Sequence, residues 1–113
     1  MSSKISNRLG KVHSFYVDDA VAHGEVAAVL LYNFRFWLDH NKANSKNAKD
    51  GYFWTYNSAR AFSELFPYLH PKKIQRTIRE LEKKNLLIST QYYLDGKDQT
   101  KWYTMPGYET TKK

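Results

Sequence analysis

Between residues 71 and 85 the chain concentrates side chains suited to gripping a polyanion: Lys72, Lys73, Arg76, Arg79, Lys83 and Lys84, with only Glu80 and Glu82 against them. A guanidinium can bond two acceptors on one guanine edge, whereas a lysine ammonium acts as a point charge on phosphate. Gln75 and Thr77 add an amide and a hydroxyl that can reach a base edge or a phosphate oxygen. At about 100° per residue, Lys72, Arg76, Arg79 and Lys83 project opposite Ile74, Ile78 and Leu81. One side of this segment is therefore suited to a core and the other to a negatively charged surface. Arg76 and Arg79 are the residues expected to carry selectivity. The plainer alternative is a solvated helix face held by neighbour pairs such as Arg76 with Glu80.

The rest of the chain carries no comparable catalytic pattern. His13, His23, His40 and His70 lack metal-ligand spacing, and without cysteine there is neither a thiolate nucleophile nor a disulfide or zinc-finger framework. No glycine-rich phosphate loop, Gly-x-Ser-x-Gly elbow or His-apolar-His nicking motif occurs, so the reading is a binding module with no cofactor and no metal, and not an enzyme. The chain has 113 residues, 42% hydrophobic and 16% aromatic, enough for one domain with its own core. Eighteen Lys and Arg against eleven Asp and Glu leave a net charge of +7, which favours a polyanionic partner. The longest apolar run, residues 26–32, is far short of the roughly 20 residues that cross a bilayer. No membrane partner is expected, and a reducing, cytoplasmic setting fits the absence of cysteine.

Several elements must position the cationic segment. Residues 1–12 are polar and read as an amino-terminal arm. A first helix is predicted over residues 18–40, with Val26, Leu30, Phe34 and Trp37 on its buried side. Leu31, Phe36 and Leu38 fall off that stripe, which points either to a wider core or to a self-association surface giving a homodimer. Residues 41–51 read as a solvated loop closing on the turn signal Asp50-Gly51. The aromatic run over residues 52–56 reads as one short strand, and Asn57 or Ser58 can cap a short helix that Pro67 forces to stop near Phe66. Pro71 suits the first position of the cationic helix, and Asn85 suits the left-handed residue that ends it.

Residues 86–93 and 101–105 then form a hairpin around Asp95-Gly96. Lys97 and Lys101 near its tip are candidate contacts to phosphate or a minor groove. Tyr52, Trp54, Tyr56, Tyr92, Tyr93, Trp102 and Tyr103 could stack unpaired bases, but alternate aromatics on a small sheet more often fill a core.

Helix, strand, helix, tight turn, helix and hairpin, in that order, describe an α+β winged helix-turn-helix: three helices, a small antiparallel sheet and a β-hairpin wing, spanning residues 13–106. Residues 107–113 are then a polar tail at a truncation point of a longer protein. Gly51-Tyr52-Phe53-Trp54-Thr55-Tyr56-Asn57-Ser58, Phe66-Pro67-Tyr68-Leu69 and the stretch from Ile74-Gln75-Arg76-Thr77-Ile78-Arg79 on to Asn85-Leu86-Leu87 carry a resemblance to the winged-helix domains of phage and mobile-element replication initiators and replisome organisers. His70 departs from that pattern, where Ser, Thr or Asn is the usual cap. The resemblance implies sequence-specific binding of double-stranded origin DNA, with replication proteins engaged through a carboxyl-terminal region beyond this chain. Similar wording in small phage regulators makes a transcriptional regulator the second reading, and a winged helix that binds protein is the third. If two copies pair, their DNA half-sites should lie about one helical turn apart, or a multiple of it.

Overall fold

A computed structural model describes residues 11–91 and 101–110. Among them the chain forms four helices and two small antiparallel sheets, an α+β arrangement. The helix predicted over residues 18–40 is two helices, α1 (Val17–His23) and α2 (Glu25–Ala43), broken at Gly24. Gly24 sits at φ +92° and ψ 160°, a conformation that a side chain makes costly, and this is what lets the chain turn between the two. No residue of α1 is buried; it is held to α2 by an ion pair between Asp19 and Arg35 and by the Tyr16 ring against Tyr32.

The buried stripe of α2 is rotated from the predicted one. Leu30, Leu31, Phe34 and Leu38 are all essentially inaccessible, while Val26 is half-buried and Trp37 remains 41% exposed. Leu31 and Leu38 therefore belong to the core, and only Phe36 of the three residues read as a self-association surface faces solvent. The cause is that α2 packs on several elements at once, so its apolar arc is wide and centred near Phe34.

After α2, β1 (Ala48–Lys49) and β2 (Tyr52–Phe53) pair as a hairpin. Asp50 and Gly51 both have positive φ in the two-residue turn between them, as a type I′ hairpin requires. The stretch expected to be solvated loop thus contains a helix end and a strand. The aromatic run is split at Trp54, which is buried and donates from Nε1 to the Lys49 carbonyl at 2.7 Å. Tyr52 and Phe53 stay with the hairpin, whereas β3 (Thr55–Tyr56) joins the second sheet.

Ser58 caps α3 (Ala59–Leu65) by accepting from the Ala61 amide at 3.0 Å, and the helix ends at Phe66, ahead of Pro67. His70 caps α4 (Pro71–Lys83): its Nδ1 accepts from the Lys72 amide at 3.1 Å, so an imidazole does here what a hydroxyl or amide usually does. Asn85, at φ +62°, ends α4 in the left-handed conformation. The second sheet has the order β3-β5-β4, with β4 (Ile88–Gln91) and β5 (Lys101–Thr104) antiparallel and Ser89 opposite Tyr103. The predicted turn at Asp95-Gly96, Tyr92, Tyr93 and Lys97 lie outside the described residues, as do residues 1–10.

The core lies where α2, α3 and α4 meet β5. Phe34, Phe62 and Tyr103 form an aromatic triangle with centroids 5.1 to 5.9 Å apart, closed by Ile74, Ile78, Leu81 and Leu87. The segment read as a polar tail is part of this body as far as Thr110. The Phe53 amide donates to the Tyr108 carbonyl and Thr110 to Gly51, both at 2.9 Å, and Tyr108 Oη donates to Asp39 at 2.7 Å. At the other end, the His13 ring packs 4.6 Å from that of Phe66 and bonds Tyr68 Oη.

Burial pushes the Tyr103 phenol up to about 12, and the nearby Glu82 carboxylate adds to it. Tyr108 is also raised, by burial first and then by its bond to Asp39. Because the folded chain holds these protons longer than the unfolded one, their stabilisation is complete below pH 10 and is lost as pH rises from 10 towards 12. Replacing Tyr103 by Phe keeps the ring and should flatten the alkaline fall in melting temperature, removing up to about 3 kcal/mol of pH-linked destabilisation. A fall unchanged from wild type would refute this. Gly24→Ala gives a second test: a continuous helix would gain about 1 kcal/mol, whereas the observed break predicts a loss of about 1 to 3 kcal/mol, read by urea unfolding.

Candidate nucleic-acid interface

The candidate surface is α4, whose opposite sides are sharply different. Ile74, Thr77, Ile78 and Leu81 are buried, and Lys72, Lys73, Arg76, Arg79 and Lys83 are exposed. Two of its flanks differ as well. Gln75 and Glu82 turn towards the β4–β5 sheet, and Lys73 and Glu80 turn the other way. Among the described residues, none of Lys72, Arg76, Arg79 and Lys83 forms an ion pair, and the neighbour pair Arg76 with Glu80 is not made. The helix therefore presents a continuous cationic ridge without internal neutralisation.

Not every residue read from the sequence lies on that ridge. Thr77 is on the core side, only 5% exposed, and its hydroxyl donates to the Lys73 carbonyl at 2.8 Å. It cannot reach a base; at 300° on the helical wheel from Ile74 it falls within the buried arc, where a threonine satisfies its hydroxyl on the preceding turn. Lys101 is half-buried and shared internally. Its ammonium lies 3.4 Å from Glu82 Oε2 and 5.7 Å from the centroid of the Tyr103 ring, so much of its charge is already answered. Gln75 lines a groove with Asn57, Ser58, Gln91 and Lys101, between α4 and the strands.

Sequence reasoning missed the role of Glu82. Its Oε2 accepts from Ser89 Oγ at 2.6 Å on β4 and from Lys101 on β5, so one carboxylate ties α4 to both strands of the hairpin. The position of Glu82 on the flank of the helix was readable, but nothing local marks Ser89 as its partner. Lys84, the last basic residue of the cationic segment, has its ammonium 3.4 Å from His23 Nδ1 at the end of α1.

The aromatic residues divide. Trp54, Trp102 and Tyr103 are buried, in keeping with core packing, whereas Tyr56 is 47% exposed and stacked on Trp102 with centroids 4.9 Å apart. Among the described residues no group of three His, Asp or Glu side chains gathers as a metal site, and no helix is long and apolar enough to cross a membrane. Comparison of the chain with protein-family models, curated proteins and solved structures returned no match.

The Glu82 clamp makes a quantitative prediction. Glu82→Ala and Ser89→Ala should each lower unfolding stability by about 1 kcal/mol, and the double variant should lose less than the sum. Purely additive losses in urea unfolding would show that the two side chains do not support one another.

Proposed function

We propose that this domain is a winged helix-turn-helix module that binds double-stranded DNA, with α4 seated in the major groove. The observation that carries the reading is the ridge of Lys72, Arg76, Arg79 and Lys83, exposed and without ion pairs among the described residues, on a helix whose other side is locked in the core. A helix about 10 to 12 Å across matches a major groove about 12 Å wide. The order of elements supports the same reading: α3, a tight turn through Pro67 and His70, α4, then the antiparallel pair β4 and β5, with β3 completing the sheet on β5. Gln75, beside Arg76 and Arg79, adds an amide to the base-reading set, while Lys72, Lys73 and Lys83 act on phosphate.

The target is origin DNA of a phage or mobile element, a role supported by the resemblance of residues 51–58, 66–69 and 74–87 to replication initiators. A transcriptional regulator would use the same ridge on promoter DNA. Footprinting on the element's own genome separates the two by where protection falls.

Arg76→Ala should weaken specific binding by about 1 to 3 kcal/mol and relax selectivity at one position. Lys72→Ala should weaken all sequences alike and reduce the slope of log affinity against log salt by about 0.9. Both are read by titrating labelled duplexes at several salt concentrations. Wild-type affinity in both variants would remove α4 from the interface.

A further inference from the structure

A second feature shares Asn57 with the groove lined by Gln75. Between the carboxyl-terminal half of α2 and β3 is a cleft of about 420 Å³, within the roughly 300 to 1,000 Å³ typical of ligand sites. Its walls include Trp37 and Tyr56, both nearly half exposed, together with His40, Lys46 and Asn57. Large aromatic rings left this exposed on two facing elements are not needed for the core, which Phe34, Phe62 and Tyr103 already fill.

Both rings are held in place. Tyr56 has one face covered by Trp102, at an interplanar angle of 24°. Trp37 is set edge-to-face against Phe36 at 5.2 Å and against His40 at 5.5 Å. The two walls are braced together by buried Asn41, whose Nδ2 donates to the Trp54 carbonyl at 2.8 Å. Lys46 is exposed and makes no ion pair among the described residues. Fixed aromatic faces, amides for hydrogen bonding and a cation form the set that recognises a planar heterocycle carrying a phosphate; a purely apolar ligand would leave the cation and amides unanswered.

We infer that this cleft holds an unpaired nucleotide of single-stranded DNA, its base stacked on Trp37 and Tyr56 and its phosphate on Lys46. Asn57 lines both this cleft and the groove between α4 and the strands, so the two are contiguous on the surface. The inference rests on the duplex-binding reading only for its setting: a strand displaced from a duplex held at α4 would have a receptor alongside.

The test uses the full chain and an end-labelled oligothymidylate, followed by fluorescence anisotropy, beside a labelled duplex. Trp37→Leu and Tyr56→Leu should each weaken oligothymidylate binding roughly ten-fold, leaving duplex affinity unchanged. Lys46→Gln, at an exposed position that does not threaten folding, should lower the single-strand salt slope by about 0.7. Arg76→Ala should do the reverse, weakening the duplex and sparing the oligonucleotide. Wild-type oligothymidylate affinity in the Trp37, Tyr56 and Lys46 variants overturns the cleft assignment, as does failure of the wild-type chain to bind oligothymidylate while it binds duplex. Thymidine monophosphate binding as tightly as the oligonucleotide would also overturn it, by assigning the cleft to a free nucleotide. Failure of the wild-type chain to bind duplex while it binds oligothymidylate would remove the function proposed above and leave this one standing.

Discussion

The structure depends on α4 having one side that cannot be wet and another that cannot be buried. Ile74, Ile78 and Leu81 are sealed against Phe34, Phe62 and Leu87, each aliphatic side chain contributing about 1.5 to 3 kcal/mol through removal from water. Lys72, Arg76, Arg79 and Lys83 carry charges whose desolvation would cost several kcal/mol each without a partner. These opposing demands fix the rotation of α4 about its axis. They also explain why Thr77, although polar and adjacent to Arg76, faces inward: it lies within the apolar arc and satisfies its hydroxyl on the preceding turn.

Charge is distributed unevenly around that helix, and the unevenness has structural consequences. Among the described residues no carboxylate pairs with the ridge, a repulsive arrangement that a polyanion would relieve. On the flank facing the strands the opposite holds, since Glu82 gathers Ser89 and Lys101 and joins helix to sheet. A half-buried carboxylate with two donors is better satisfied than a surface pair and gives the hairpin base a defined position relative to α4. The same contact makes Lys101 a poorer candidate for an external anion than its place in the sequence suggested.

The aromatic residues of the sheet divide between the interior and the surface. Trp54 and Trp102 spend their rings on the interior, and Trp102 in turn supports the exposed Tyr56. Burial and exposure are thus not alternatives for the aromatic run over residues 52–56, since Trp54 lies inside and Tyr56 outside. The pleat sends successive side chains to different faces, and the break at Trp54 moves the chain from one sheet to the other.

Much of the fold was legible locally. Ser58, Pro67, Pro71 and Asn85 punctuate α3 and α4 through restrictions that act within a few residues, and Asp50-Gly51 marks its turn because both positions need positive φ. The cationic and apolar periods of α4 were equally plain, because its apolar side chains share one arc and its basic ones the opposite arc. The orientation of α2 was not, since its apolar arc is set by several neighbours distant in sequence, which drew Leu31 and Leu38 inside and left Trp37 half out. Nor could local patterns reveal that residues as far as Thr110 return to the β1–β2 hairpin, that Glu82 claims Lys101, or that Lys46 and Tyr56 line one cleft. Propensity and periodicity belong to segments and are written in the order of residues. Which segment covers which, and therefore which side chains meet, is decided only when the packed chain chooses among faces that each segment offers.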